Sequence, residues 1–153
     1  MVGYFLIHEG AHFFYALSIG AFRQFNFMGI GIQVDIYRER MSDVQFGVFN
    51  LVAPVATIIL GYIFLALTPK FLSYSSHYIR AIAYYLTMIF LLLDLIYLSV
   101  LYPFVGGGDM NGIIMLLPKL VSRIIFGIFT VVNIVIIIKI VIPKHRQAYL
   151  RFQ

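Results

Sequence analysis

The chain alternates between long apolar stretches and short polar connections. Four apolar stretches stand out, at Met1–Phe22, Phe46–Thr68, Ala81–Val105 and Ile124–Ile142. Each is close to the roughly 20 residues that a membrane-spanning helix needs. The pattern therefore predicts an all-α membrane protein with about four transmembrane helices, in a single domain over residues 1–153.

The connection after the first stretch follows a different period. Apolar residues alternate there with glycine or polar residues, at Met28, Ile30, Ile32, Val34 and Ile36. A period of two is typical of a β-strand. Gly29 and Gly31 favour a turn, so the segment is either one strand or a hairpin. The alternative to both is an amphipathic loop lying on the membrane surface.

Composition places the protein in a bilayer. Apolar residues make up 62% of the chain and charged residues 11%, against roughly 25% charged in soluble domains. We expect an integral protein of a bacterial or archaeal cell membrane, with lipid as its main surroundings. The small basic cluster at Lys144, Arg146 and Arg151 is typical of a cytoplasmic membrane flank, and we expect no nucleic-acid partner. The absence of cysteine excludes thiolate metal ligands.

Residues 8–12 carry the first sign of chemistry, because they have the pattern H-E-x-x-H. On a helix, His8 and His12 lie one turn apart on the same face and both reach one metal ion. Zn²⁺ suits this pair, since it accepts nitrogen and oxygen ligands and keeps a position for water. Glu9 lies beside that face, where a carboxylate acts as a general base. The alternative is a buried polar cluster that only packs helices.

A third ligand has to come from elsewhere, and two aspartates are candidates. Asp109 follows a run of three glycines, where a bent backbone aims a side chain into the helix bundle. Asp94 lies inside a leucine-rich helix, where it either is protonated and bonded to a neighbouring helix or orients a zinc-binding histidine. We favour Asp109 as the ligand. Asn111, close behind it, is either a hydrogen-bond donor to substrate or a helix N-cap.

These residues resemble the site-2 protease family of intramembrane metalloproteases. That family has H-E-x-x-H in one membrane helix, G-P-x-x-N in the next and N-x-x-P-x-x-x-x-D-G later in the chain. Residues 8–12, 53–57 and 103–112 resemble these elements in the same order. The resemblance implies that Asp109 is the third zinc ligand and that Thr57 stands where an asparagine helps to hold substrate.

The chain also departs from the family pattern. Ala53, Thr57 and Val100 replace a glycine and two asparagines, and five residues rather than four separate Pro103 from the aspartate. The resemblance therefore implies a divergent member. Seven residues precede His8, fewer than the family usually has, so we expect either an upstream start or a short first helix.

The prediction is a zinc endopeptidase that cleaves a membrane-spanning or membrane-bound peptide or protein. A substrate has to unwind to expose its peptide bond, and its freed backbone groups need partners where water is scarce. The strand-like segment supplies them, with Ile32 and Val34 as substrate contacts. The alternative function is a catalytically inactive or non-proteolytic zinc-binding membrane protein, acting as a regulator or carrier. The three replaced family positions favour an inactive relative, whereas Glu9 favours an enzyme.

Overall fold

The computed structural model of the protein describes residues 2–28 and 31–150. Within these ranges the chain is mostly helical and has one small sheet. Its elements are α1 (Val2–Ser18), β1 (Phe22–Met28), β2 (Gly31–Ile36), a 3-10 turn (Arg38–Arg40), α2 (Asp43–Ser73), α3 (His77–Ile96), α4 (Tyr102–Val105), α5 (Gly108–Ile113), α6 (Lys119–Ile136) and α7 (Ile142–Leu150). π-helical turns at Tyr97–Leu101 and Ile137–Val141 connect α3 to α4 and α6 to α7 without a break.

Three continuous helical segments are long and apolar enough to cross a membrane, among the described residues. They cover Asp43–Ser73, His77–Val105 and Lys119–Leu150. The helix α1 has 17 residues and is about 25 Å long at 1.5 Å per residue, which is less than the roughly 30 Å hydrocarbon core of a bilayer. The structure thus supports a membrane protein with three spans, and the fourth expected span is not confirmed.

The helix α2 is the centre of the bundle, since α1, α3 and α5 all pack against it. It begins at a capping box, in which the Ser42 hydroxyl accepts from the backbone N–H of Gln45 and the Gln45 side chain accepts from the backbone N–H of Ser42. Close approach of α5 depends on Gly112, because a Cβ there would overlap the side chain of Asn50. This contact fixes α5, and the aspartate at its start, beside the middle of the bundle.

The strand-like segment is a hairpin, as one of the two sequence readings had it, and the surface-loop alternative is wrong. β1 and β2 pair antiparallel, with Phe25 opposite Val34 and Phe27 opposite Ile32. Gly29, predicted at the turn, lies outside the described residues. Val34 is buried in a cluster that anchors the hairpin to the helices and includes Ala16, Ala21, Met41 and Phe49. The hairpin therefore lies against α1, next to the H-E-x-x-H sequence.

Candidate metal centre

One face of α1 supplies the histidines. Tyr4, His8 and His12 follow each other at intervals of four residues, and all three side chains are buried, with exposed fractions of 6%, 8% and 4%. Their common spacing stacks them along one stripe of the helix, because residues four apart lie on the same face. The stripe points into the bundle, so both imidazoles are held away from lipid.

A glycine turn brings Asp109 to the histidines. Gly106 and Gly107 have φ values of 67° and 149°, and residues other than glycine rarely adopt positive φ values of this kind. A Cβ at Gly107 would also overlap the Tyr97 hydroxyl. The turn starts α5 at Gly108, and its first-turn carboxylate lies 3.2 Å from Nε2 of His8 and 3.3 Å from Nε2 of His12.

The three side chains suit a small cation. Their ligand atoms all lie within 4.8 Å of one another. Bonds of the length found in tetrahedral zinc sites place neighbouring ligand atoms about 3.3 Å apart, close to the two histidine–aspartate distances. A metal site with two nitrogen ligands and one carboxylate therefore needs little rearrangement of His8, His12 or Asp109.

The hydrogen bond of His12 strengthens this fit. Its Nδ1 lies 2.8 Å from the backbone carbonyl of Phe49, which can only accept, so Nδ1 carries the proton. A neutral His12 then presents the lone pair of Nε2 to a carboxylate oxygen of Asp109. Two lone pairs at this distance repel unless a cation lies between them. Either an additional proton or a metal ion has to occupy this place.

Asp94 belongs to a second layer around the histidines. Its carboxylate is 3% exposed and accepts hydrogen bonds from the hydroxyls of Tyr4 and Thr57. Its Oδ1 lies 3.4 Å from Nδ1 of His8, on the opposite side of the ring from Asp109. The carboxylate therefore connects α1, α2 and α3 at the back of one imidazole, as a histidine-orienting group would.

The histidines also set the charge of Asp109. Burial alone would raise the pKa of this carboxyl, but when a proton rather than a metal ion lies between it and the imidazoles, the hydrogen bonds from His12 and His8 outweigh burial and hold the pKa well below its usual range. The side chain is therefore a carboxylate at neutral pH, which is the form that binds a metal ion. Its side chain is only 15% exposed, so Asp109 is not an exposed turn residue.

Glu9 lines a cavity together with His8 and Asp109, and its carboxylate is hydrogen-bonded to the hairpin. This cavity of about 320 Å³ is lined by Glu9, His8, Asp94 and Asp109, with Gln33 of β2 at its wall. One oxygen of the Glu9 carboxylate, Oε2, accepts from the backbone N–H of Val34 at 2.9 Å. The candidate base thus shares one space with two of the candidate metal ligands, His8 of α1 and Asp109 of α5.

A second, apolar cavity lies on the other side of Glu9. It has a volume of about 340 Å³ and is enclosed by α1 and the hairpin, with Phe5, Phe13, Phe27 and Ile32 among its lining residues. Phe5 and Glu9 line both cavities. An apolar peptide or acyl chain lying in this cavity would contact Glu9, which is one of its lining residues.

The free edge of the hairpin also faces Glu9. Peptide groups alternate in direction along a strand, and Val34 directs its N–H to Glu9 rather than to β1. The backbone groups of Ile32, two residues away, therefore lie on the same edge. Ile32 is 37% exposed and Val34 is 6% exposed, so the two predicted substrate contacts differ, with only the first open to a ligand's side chain.

The remaining two predicted substrate contacts lie apart from the cavity. Thr57 is fully buried and donates to Asp94 and to the carbonyl of Pro54. Asn111 is exposed inside α5 and accepts from the Tyr102 hydroxyl at 2.9 Å. It is not the helix cap that the sequence offered as an alternative, since Gly107 holds that position. Substrate binding by Thr57 and Asn111 stays a prediction.

Sequence reasoning missed two partners of the histidines. Tyr4 lies 3.3 Å from Nδ1 of His8 through its hydroxyl, and the Phe49 carbonyl orients His12. The spacing of four residues before His8 was a signal for Tyr4, because it extends the stripe by one turn. No sequence signal marks a backbone carbonyl from another helix.

The site thus draws its side chains from α1, α3 and α5 and its backbone donor from β2, with α2 behind them. Comparisons of the chain with protein-family models, with curated proteins and with solved structures find no match. A function for this protein therefore has to be argued from the geometry of these residues.

Proposed function

We propose that the protein is a zinc-dependent endopeptidase of the membrane, a divergent relative of the site-2 proteases. The convergence of His8, His12 and Asp109, whose ligand atoms lie within 4.8 Å of one another, is the observation that carries this proposal, together with Glu9, which lines a cavity with His8 and Asp109. Asp109 lies far in the sequence from His8, Glu9 and His12, and a cluster that only packed helices would not need the Glu9 carboxylate beside it. The metal set is the one expected of a catalytic zinc site, with three protein ligands.

A bound zinc ion would supply Lewis-acid activation of a water molecule and of the substrate carbonyl. Glu9 would take the proton from that water at one carboxylate oxygen and deliver it to the leaving amine. The Phe49 carbonyl holds His12 in the tautomer that leaves Nε2 available. Asp94 holds His8 in the same way, and Tyr4 with Thr57 fixes the orientation of Asp94.

The test is to separate metal binding from proteolysis. The purified protein should contain about one zinc per chain, and the double variant His8→Ala/His12→Ala should contain none. Glu9→Gln should retain zinc and lose cleavage of a membrane-spanning reporter peptide, by roughly 10²–10⁴-fold. Cleavage at the wild-type rate by Glu9→Gln would remove the protease mechanism and leave a metal-binding protein.

The alternative is a regulator or carrier that binds zinc without hydrolysis, and Ala53, Thr57 and Val100 favour it as departures from the family pattern. The same experiment decides between the two functions. A carrier would hold zinc in wild type and in Glu9→Gln equally and would cleave no peptide in either form. Loss of zinc in Glu9→Gln would instead make Glu9 a ligand.

Substrate would bind as an added strand on the free edge of β2. An unwound peptide has unpaired N–H and C=O groups, which are costly in a dry setting, and an exposed strand edge offers partners by β-augmentation. The edge that carries Ile32 and Val34 faces Glu9. The apolar cavity beside it would accept side chains of the peptide. Together these features support docking within reach of the metal centre.

Proline substitution tests the strand edge. Ile32→Pro removes one edge donor without touching Glu9 or the metal ligands, and it should retain zinc and lose cleavage of a helical membrane substrate. Val34→Pro removes the donor that Glu9 accepts from, so it reports on the base as well as on docking. Normal cleavage by both variants would end the strand-docking proposal and leave the zinc chemistry standing.

A further inference from the structure

A third cavity lies far from the metal centre, at the other end of α3. It has a volume of about 500 Å³ and is enclosed by the start of α3, the end of α2 and α7. Its polar lining consists of two arginines, two histidines and three tyrosines: Arg80, Arg146, His77, His145, Tyr84, Tyr85 and Tyr149. Leu72 and Ile142 are among its apolar lining residues. Its size is that of a small-molecule site, which is typically about 300–1,000 Å³.

The charge around this cavity is one-sided. None of the described residues that line it is Asp or Glu, and the sequence has no acidic residue between Asp43 and Asp94 or after Asp109. Asp94 is 14 positions beyond Arg80 on the same helix, about 21 Å away at 1.5 Å per residue. Lys70 and Lys144 add further positive charge to the neighbouring helix ends. This end of the bundle therefore attracts anions.

One lining side chain, that of Arg80, connects two of the helices that enclose the cavity. Arg80 is 6% exposed, and its guanidinium donates to the Ala148 carbonyl at 3.3 Å and contacts Nδ1 of His77 at 2.9 Å. These contacts connect the first turn of α3 to α7. They fix a guanidinium fork at the cavity, and planar guanidinium groups match the oxygens of phosphate.

His145 adds a polar atom that lacks a partner. Its Nε2 is buried and has no hydrogen-bond partner among residues 2–28 and 31–150. Buried polar atoms are normally satisfied, so each exception calls for a ligand, a water molecule or an ion. His145 lines the cavity beside Arg146 and Tyr149, both of which are exposed at its mouth.

The geometry points to a binding site for a phosphate group, with an anionic phospholipid as the ligand that fits best. The arginines and histidines would bind the phosphate oxygens, and the tyrosine hydroxyls would donate to the glycerol end. The site lies where three membrane-length helical segments begin or end, at Ser73, His77 and Leu150, and the ends of spanning helices lie at the depth of lipid headgroups. Basic pockets between membrane helices are one known form of headgroup recognition. A free phosphate or phosphomonoester shares the same chemistry.

The experiment measures lipid retention by native mass spectrometry of the full chain released from detergent. Phosphatidylglycerol, phosphatidylcholine and inorganic phosphate are titrated separately. We expect saturable binding of phosphatidylglycerol at one molecule per chain and weaker binding of phosphatidylcholine, whose headgroup carries a compensating positive charge. Arg146→Gln should weaken phosphatidylglycerol binding about tenfold, the loss expected for one hydrogen bond to a charged group.

The matched control is Lys144→Gln, which removes the same charge from an exposed position on the same helix that does not line the cavity. It should leave phosphatidylglycerol binding within about twofold, since a screened surface charge contributes little. Equal losses in Arg146→Gln and Lys144→Gln, or equal binding of the two lipids, would overturn the site in favour of diffuse attraction. Displacement of the lipid by millimolar inorganic phosphate would support the site and make free phosphate its ligand.

Arg80→Gln provides a second variant, at the floor of the cavity. It should abolish retention of phosphatidylglycerol if it folds. Because Arg80 also connects α3 to α7, this variant can fail to fold. In that case the comparison of Arg146→Gln with Lys144→Gln still decides the question, since both residues are exposed. Neither variant touches the metal centre, so zinc content should be the same as in wild type.

Discussion

The two aspartates near the histidines should differ in how strongly they affect metal binding. Asp109 faces Nε2 of both His8 and His12, whereas Asp94 lies behind His8 at Nδ1. We expect Asp109→Ala to remove a ligand and Asp94→Ala to remove only an orienting contact. The affinity for Zn²⁺ should therefore fall in both variants and fall much further in the first.

The magnitudes follow from the contacts. Loss of a group that orients a ligating histidine typically lowers metal affinity by about 10–100-fold, and we expect Asp94→Ala in that range and Asp109→Ala beyond it. Asp94 also accepts from Tyr4 on α1 and Thr57 on α2. Hydrogen bonds between membrane helices average about 0.6 kcal/mol and reach about 1.7 kcal/mol. Asp94→Ala should thus lower the unfolding free energy of the metal-free protein by roughly 1–3 kcal/mol.

The assay is a zinc titration of metal-free protein in detergent against a chromogenic chelator, with thermal unfolding of the same metal-free samples. The two readouts separate a metal ligand from a side chain that only connects helices. Weaker zinc binding by Asp94→Ala than by Asp109→Ala would move the third ligand to Asp94. Lower stability with unchanged zinc affinity in Asp94→Ala would show that this carboxylate only packs the bundle.

Three further results are expected. Gly107→Ala should lower zinc affinity, and it should lower the free energy of unfolding by about 1–3 kcal/mol from backbone strain alone. Gly108→Ala is the control, because a Cβ at Gly108 meets open space, and it should change both quantities less. Equal effects of the two variants in a zinc titration would refute a special role for the turn. Thr57→Val should weaken zinc binding, because it removes a hydrogen bond that orients Asp94. Thr87→Val is the control: among the contacts described, its buried hydroxyl is bonded only within its own helix, and its loss should leave zinc binding unchanged in the same titration. A reporter fused after residue 153 should be active in the cytoplasm, because Lys144, Arg146 and Arg151 form a basic cluster typical of a cytoplasmic membrane flank. Activity only outside the cytoplasm would reverse this orientation.

Much of the site could be predicted because its chemistry is local. The H-E-x-x-H spacing defines one helix face without knowledge of the fold, and His8 and His12 lie together as expected. The glycine run before Asp109 indicated a turn that only glycine adopts, and the positive φ values at Gly106 and Gly107 agree with that prediction. The period of two indicated β structure between residues 28 and 36, and the glycines there favoured a turn, so that a hairpin was one of the two predicted forms. In each case the signal lay within about ten residues of the sequence.

The rest depends on contacts between helices. Nothing near Thr57 in the sequence indicates that its hydroxyl meets Asp94, 37 positions later. Helix lengths were also poorly predicted, because an apolar run indicates which part of a helix is surrounded by lipid and does not indicate where the helix begins or ends. The apolar stretch 46–68 lies within a helix of 31 residues, while the first stretch gives a helix of only 17. That difference accounts for three membrane-length helical segments where four were expected.

The hydrogen bond between Val34 and Glu9 has a consequence for when the carboxylate is available. A backbone N–H makes one good hydrogen bond, and that of Val34 is already given to Oε2 of Glu9. A peptide strand that pairs with this edge must therefore displace the carboxylate from Val34. A carbonyl of the peptide replaces the Glu9 carboxylate as the acceptor, so the exchange changes the free energy little. Binding of an extended chain and release of Glu9 therefore occur in the same step. An intact helix offers no free carbonyl for this competition, so a resting enzyme of this design would leave folded membrane helices uncut.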